Sequence, residues 1–205
     1  MIPNAVLILC TILAVAALVI LYYTYSTVVV EDRHKVSRRV RRLPNYQEAA
    51  MVLGDIVDKV NTLIDHLDRK YGKQSEIVKN LRHRFRPESV FEQIPSLLEP
   101  NVAYTNNKGE SVYICLRKLY FSQSTLQDAN TLMFVMLHEI SHIATNVRDH
   151  KKEFWRVFKF ILQNAVEINI YTSIDYRVAP QLYCNGMRIN YNPLYDSGLA
   201  VPEVM

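Results

Sequence analysis

The sequence is poor in glycine, proline and cysteine, and these shortages exclude several classes of protein. Only 5 glycines and 8 prolines occur among 205 residues, while 10% of the residues are aromatic. Collagen-like, low-complexity and disordered chains have the opposite balance, so these classes are excluded. The length is sufficient for one ordinary domain and a short additional segment.

The cysteines have neither the number nor the spacing of a disulfide framework or a zinc knuckle. Cys10, Cys115 and Cys184 are odd in number and lie far apart, and Cys10 falls within an apolar segment. The chain also contains no Asn-x-Ser/Thr acceptor for N-glycosylation. Both absences are typical of a domain in the cytosol, where thiols stay reduced.

Charged residues are absent from the first 30 positions, and one short segment accounts for the net charge of +4. Residues 31–45 contain six basic and two acidic side chains, whereas residues 46–205 contain 18 of each. A neutral domain is not expected to bind nucleic acid strongly, so no nucleic-acid partner is predicted. Residues 31–45 are predicted to form a basic juxtamembrane collar, whose side chains between Arg33 and Arg42 could attract anionic lipid.

Residues 5–30 are predicted to form a transmembrane anchor behind a short exposed N-terminus at residues 1–4. Residues 5–25 contain no charge, glycine or proline, and a helix of this length crosses the roughly 30 Å hydrocarbon layer. A cleaved signal peptide would have a basic start and a shorter apolar run, and a buried soluble helix is rarely apolar on every face. Because the basic residues follow the anchor, the positive-inside rule predicts an external N-terminus and a cytosolic C-terminal domain.

Helical and strand-like patterns alternate through the rest of the chain. Residues 46–86 carry apolar side chains at three- and four-residue steps, which predicts a helical region. The following patterns predict a β-hairpin over residues 103–116, long helices over residues 126–146 and 150–171, and two short strands that pair around residues 185–186. The predicted fold class is therefore α+β, with one transmembrane helix before a compact domain at residues 87–205.

The sequence His138-Glu139-Ile140-Ser141-His142 is an HExxH motif within the first of the two long helices. Residues at positions i and i+4 share one face of a helix, so both imidazoles can reach one metal ion. Glu139 lies between them, where its carboxylate can take a proton from water at the metal. The motif therefore predicts a zinc site with Glu139 as the general base.

A catalytic zinc site needs a third protein ligand, and the sequence offers two candidates. His150 follows His142 by eight residues, which leaves room for a turn that returns to the metal. Glu167 follows His142 by 25 residues, within the second long helix, as in thermolysin-like enzymes. Those enzymes usually have an aspartate four residues after the glutamate, where this chain has Tyr171. The residues around His150 favour it, and Glu167 is the alternative.

The residues around the motif resemble the WLM and SprT-like zinc metallopeptidases. In those families HExxH is followed by a short loop and by His-x-x-x-Phe at the start of the next helix, and this chain has His150-Lys-Lys-Glu-Phe154. Lys151 stands where those families usually have a glycine. The resemblance implies a zincin-like domain that binds Zn²⁺ through His138, His142 and His150. It also implies that the hairpin before the HExxH helix lines the substrate cleft.

These observations predict a membrane-anchored zinc endopeptidase that hydrolyses a protein or peptide substrate. Tyr183 and Tyr191 are candidate donors to the oxyanion that forms on the scissile carbonyl. An extended peptide is expected to pair with the strand at residues 111–116. The tail, which is rich in Asn, Tyr and Ile, resembles small anchored domains of large DNA viruses, so a viral protein in a host or virion membrane is expected.

Two alternative functions stay open. The first is a non-catalytic membrane or virion protein that keeps a protease-like fold. The second is a protease for proteins crosslinked to DNA, because better-known members of the resembled families have that role.

Overall fold

The structure is a computed structural model that describes residues 4–72, 74–94, 103–107, 109–118, 125–145 and 149–202. The helices of the described chain are α1 (Asn4–Ser26), α2 (Tyr46–Tyr71), α3 (Glu76–Arg84), α4 (Ala129–Thr145) and α5 (Lys152–Glu167). The strands are β1 (Thr27–Glu31), β2 (Ser37–Arg41), β3 (Val90–Glu92), β4 (Ala103–Asn106), β5 (Ser111–Ile114), β6 (Gln181–Tyr183) and β7 (Met187–Ile189). The domain therefore mixes α and β elements, as predicted.

Helix α1 contains the apolar segment for which a membrane anchor is predicted. By length and composition, its residues Ala5–Ser26 could cross a bilayer, and they are not buried against the rest of the described chain. The helix ends at Ser26, and strand β1 begins at the next residue. Arg42 closes this junction, because its guanidinium donates to the carbonyls of Tyr25 and Thr27. The apolar helix is thus joined to the domain without a linker.

The basic segment at residues 31–45, predicted as a juxtamembrane collar, is part of the folded domain. Its strand β2 pairs antiparallel with β1, and the buried Arg38 guanidinium lies 2.8 Å from the buried carboxylate of Asp32. Asp32 also accepts hydrogen bonds from two backbone N–H groups of the turn between the strands. The carboxylate packs so closely on helix α2 that a Cβ atom on Gly54 would lie 2.7 Å from its Oδ2. The hairpin therefore needs this ion pair, and a glycine, to dock on α2.

The hydrophobic core lies between helices α2, α4 and α5. Helix α2 is amphipathic, and its buried face includes Leu53, Val57 and Val60. Helices α2 and α3 both contact α4, and one continuous cluster of buried side chains contains residues from α2, α3, α4 and α5. The predicted helical region at residues 46–86 is therefore packed into the same domain as the HExxH helix.

The predicted hairpin at residues 103–116 forms strands β4 and β5 of a three-stranded sheet with the order β3-β5-β4. Strand β3 pairs with β5 in parallel, and β4 pairs with β5 antiparallel. The prediction that a peptide pairs with residues 111–116 is wrong, because both edges of β5 are occupied. The outer strand is β4, which lies beside α4.

The predicted pairing around residues 185–186 is present as strands β6 and β7, and a disulfide that was not predicted fixes them to the sheet. Cys115, directly after β5, is bonded to Cys184, directly after β6, with their Cα atoms 5.8 Å apart. The Cys115 N–H also donates to the Tyr183 hydroxyl over 2.8 Å. Because 69 residues separate the two cysteines, only the tertiary fold brings them together.

We expect Asp32→Asn to lower the free energy of unfolding at neutral pH. Burial alone would raise the pKa of Asp32, but hydrogen bonds from Arg38 and from the backbone N–H groups of Val36 and His34 outweigh it, so the pKa lies below its usual value. A carboxyl group with a lowered folded-state pKa stabilises the fold above its unfolded-state pKa of about 4 and loses this effect as pH falls through the folded-state pKa. Removal of one partner of a buried pair costs about 3 kcal/mol or more.

Denaturant unfolding in detergent at several pH values tests this prediction. The difference between wild type and variant should be largest above about pH 5 and should shrink below about pH 4. Asp65→Asn is the control, because it removes an exposed ion pair with Arg82 that is worth little. A difference that stays constant across this pH range would contradict the assignment.

Candidate metal centre

Helix α4 carries the HExxH residues in its C-terminal half. Its first turn is capped by Asp128, whose carboxylate accepts the backbone N–H of Thr131 over 2.9 Å. One turn separates His138 from His142, and the centroids of their rings are 5.1 Å apart. Because most other side chains of the helix are buried, core packing fixes the direction in which the two imidazoles point.

His150 completes a group of three imidazoles. Its Nε2 lies 2.9 Å from Nε2 of His138, and the ligand atoms of all three histidines lie within 4.8 Å of one another. Phe154, in the first turn of α5, packs against all three rings, with centroid distances of 4.8, 4.3 and 4.8 Å. Lys151 has a φ of −75°, so this chain does not need a glycine beside His150.

The three histidines fit a zinc ion. Zinc–nitrogen distances of 2.0–2.1 Å in a tetrahedral site place ligand nitrogens roughly 3.3 Å apart. Here the Nε2 atoms of His138 and His150 are 2.9 Å apart, and the ligand atoms of all three histidines lie within 4.8 Å of one another. A metal ligand must be a neutral imidazole. Burial, followed by the proximity of His142 and His150, lowers the pKa of His138 to about 3, and burial also lowers the pKa of His150. These two rings are therefore neutral near pH 7, as ligands require.

Glu139 is buried beside the imidazoles, with 4% of its surface exposed. Its Oε2 accepts a hydrogen bond of 2.9 Å from the hydroxyl of Thr105, which lies on the outer strand β4. Burial raises the pKa of Glu139 to about 7, against the opposing effect of this hydrogen bond. A carboxyl group with a pKa near neutrality can both accept and donate a proton at physiological pH.

A cleft of about 780 Å³ opens over His138, Glu139 and His150. Helices α4 and α5 form part of its wall, and the segment from Cys184 to Tyr191 forms another part. The apolar side chains that line it are Ala103, Phe134, Val135, Trp155, Phe158, Met187 and Ile189. The disulfide of Cys184 thus holds one wall of the cleft in place.

Glu167, the alternative ligand, does not lie with the histidines. It is exposed at the C-terminal end of α5, where it pairs with Lys70 and lies 3.7 Å from His66. At about 1.5 Å per helical residue, this end of α5 is more than about 20 Å from its start. The structure therefore corrects the alternative and brings His150 to the site.

The structure separates the two tyrosines predicted as oxyanion donors. Tyr183 is fully buried and does not line the cleft, and its hydroxyl accepts the Cys115 N–H. Its role is to hold the hairpin, so that prediction is corrected. Tyr191 lines the cleft and donates to Asp196 over 2.9 Å. Burial, followed by this hydrogen bond, raises the pKa of Tyr191 to about 12, so the hydroxyl keeps its proton.

Comparisons with known proteins give the sequence family. The model of the WLM domain matches residues 32–190 of this chain. An uncharacterized protein of Acanthamoeba polyphaga mimivirus is 32% identical over 162 residues, which cover 78% of this chain and 80% of that protein. An uncharacterized protein of Invertebrate iridescent virus 6 is 26% identical over 175 residues, which cover 83% of this chain and 93% of that protein.

Solved structures of Wss1 from Saccharomyces cerevisiae are similar at a lower level. The crystal structure of Wss1 has a TM-score of 0.48 and 20% identity, covering 62% of this chain and 84% of that chain. A mutant of Wss1 has a TM-score of 0.49 and 18% identity, covering 63% of this chain and 87% of that chain. Because these values are low, family membership depends on the sequence matches.

We expect the full-length protein to bind one zinc ion per chain, and His150→Ala to weaken zinc binding by more than about a hundredfold. Loss of residues that merely orient a ligand already costs about 10- to 100-fold, so loss of a ligand should cost more. Metal content after purification in detergent, followed by zinc titration, measures this. Glu167→Ala is the matched control and should keep the zinc. If Glu167→Ala lost the zinc and His150→Ala kept it, the assignment would be refuted.

Proposed function

This chain belongs to the WLM family of zinc metallopeptidases, in a form found in viruses, and from that premise we propose that it is a zinc-dependent endopeptidase. The observation that supports the proposal best is the cluster of three imidazoles with the buried carboxyl group of Glu139 beside it, at a cleft lined by His138, Glu139 and His150. Its apolar lining suits the side chains of a protein or peptide substrate.

Each residue of the motif would have one role in hydrolysis. His138, His142 and His150 would hold the zinc ion. When bound, zinc supplies Lewis acidity, which lowers the pKa of water toward about 7 and polarises a carbonyl group. The Glu139 carboxylate would take the proton of the attacking water and pass it to the leaving amine, and a pKa near 7 suits both transfers.

We propose that the substrate backbone binds along the outer edge of β4. Among the described strands, none pairs with this edge of β4. Ala103 of β4 lines the cleft and Thr105 of β4 reaches Glu139. An extended peptide that adds to β4 would therefore lie along the cleft, beside the general base.

Of the two tyrosines predicted as oxyanion donors, Tyr191 is the one that lines the cleft. Its ring stands edge-on to Trp155, with centroids 5.0 Å apart, at the wall of the cleft. To stabilise the oxyanion, the Tyr191 hydroxyl would have to donate its hydrogen bond to the substrate oxygen instead of to the Asp196 carboxylate.

Cleavage of a denatured protein such as casein should depend on bound metal. We expect ortho-phenanthroline to reduce the rate by more than about a hundredfold, because a catalytic metal contributes several kcal/mol to transition-state stabilisation. Added zinc should restore the rate, and the non-chelating meta isomer is the control. Cleavage that survives complete removal of metal would contradict the proposal.

The two alternatives give different results in the same preparation. A zinc-loaded protein that cleaves nothing would favour the non-catalytic membrane or virion protein. A crosslink protease would bind DNA with an affinity that falls steeply with salt concentration.

We further propose that α1 anchors the enzyme in a host or virion membrane with the domain on the cytosolic side. The uncharged apolar helix and the basic residues that follow it support this orientation. Because Arg38 is buried and Arg33 pairs with Asp55, attraction to anionic lipid would depend on the exposed Lys35, Arg39 and Arg42. The disulfide is typical of oxidising compartments and is the observation that favours the opposite orientation.

Glycosylation mapping in microsomes tests this orientation. Met187→Thr converts Asn185, in an exposed turn, into an acceptor site, and an N-terminal extension can carry another. We expect a glycan on the extension and none on Asn185. The reverse pattern would place the domain on the side where disulfides form.

A further inference from the structure

We propose that Thr105 is a positioning residue for the general base. This inference rests on the proposed peptidase function and assigns a role to a residue outside the HExxH motif. Thr105 lies 34 residues before Glu139, on strand β4. Its hydroxyl is the contact that connects this strand to the carboxylate of Glu139.

The geometry is that of a hydrogen bond directed at one carboxylate oxygen. The Thr105 Oγ1 atom lies 2.9 Å from Oε2 of Glu139 and 3.3 Å from the backbone carbonyl oxygen of the same residue. Thr105 is half-buried and Glu139 is buried, so water competes little for this bond. Among the described residues, Thr105 is the one hydrogen-bond partner of the Glu139 carboxylate.

A base in this position needs such a partner. A glutamate side chain has three rotatable bonds, and fixing it costs conformational entropy. The hydroxyl of Thr105 occupies Oε2 and leaves Oε1 to accept a proton from the attacking water. Since an error of about 1 Å in the position of a reacting group can cost about a hundredfold in rate, one fixed oxygen has a large effect.

Threonine on this strand is suited to the task. Its branched Cβ restricts rotation about χ1, and β4 holds its backbone through pairing with β5, where Thr105 lies opposite Val112. The direction of the hydroxyl is therefore set by the sheet. Because β4 is also the proposed seat of the substrate, the general base and the scissile bond would be placed by one rigid element.

Steady-state cleavage by Thr105→Val and Thr105→Ser in the full-length, zinc-loaded protein tests the proposal. Valine keeps the shape and removes the donor, so kcat should fall about 10- to 100-fold while KM changes less than about twofold, because the β4 backbone is intact. Serine keeps the donor and should restore most of kcat. Zinc content and thermal stability should match the wild type in both variants.

Two further variants separate positioning from a general effect on the helix. Thr145→Val removes a hydroxyl that bonds the Ser141 carbonyl on the same helix α4, and it should leave kcat unchanged. In a Glu139→Gln background, Thr105→Val should cause no further loss, because two residues that act as one unit are not additive.

The positioning role would be overturned if Thr105→Val kept the wild-type kcat, or if Thr105→Ser lost as much kcat as Thr105→Val. Either result would leave the peptidase function intact. A wild-type protein that loads zinc and cleaves nothing would overturn the proposed function, and this inference with it.

Discussion

Helix α4 must satisfy the hydrophobic core and the metal centre at the same time, and the rest of the site depends on how firmly the core holds it. Twelve of its 17 residues are buried. A slip of one residue would turn the helix by about 100°, which would expose its leucines and point His138 and His142 away from His150. Packing against α2, α3 and α5 therefore allows α4 only one rotation about its axis. Phe154 of α5 contacts all three imidazoles, so the packing of α5 on α4 also fixes the position of the His150 ring.

The same burial sets the charge states at the site. Low polarity around His138 disfavours its protonated form, and low polarity around Glu139 disfavours its ionised form. The consequence is a neutral imidazole for the metal and a carboxyl group that titrates near pH 7. Thr105 opposes part of the effect on Glu139, so strand β4 adjusts the pKa of the carboxyl group that α4 provides. The electrostatics of the site thus follow from packing and need no additional charged residue.

The local parts of this arrangement could be predicted from the sequence, and the long-range parts could not. Because His138 and His142 are four residues apart on a helix, the motif alone predicts that their imidazoles lie on the same face. His150 was favoured over Glu167 by the residues around it. Cys115 and Cys184 are 69 residues apart and Thr105 is 34 residues from Glu139, and nothing in their local sequence marks them as partners.

Two differences from the predictions have specific physical causes. The basic segment at residues 31–45 was predicted from its charge as a collar next to the membrane, and charge alone does not reveal that Arg38 pairs with Asp32 across the turn of a hairpin. Strand β3 has three residues, too few for a periodic pattern, so its pairing with β5 was missed and the wrong strand was assigned to the substrate.

The central claim is that Glu139 acts as the general base at a zinc centre held by three histidines. The most direct test compares cleavage by the wild type and by Glu139→Gln, with the zinc content of each sample measured alongside. The account predicts equal zinc and a rate at least about a hundredfold lower in the variant, the contribution expected of a positioned acid–base group. Equal zinc with an unchanged rate would contradict it.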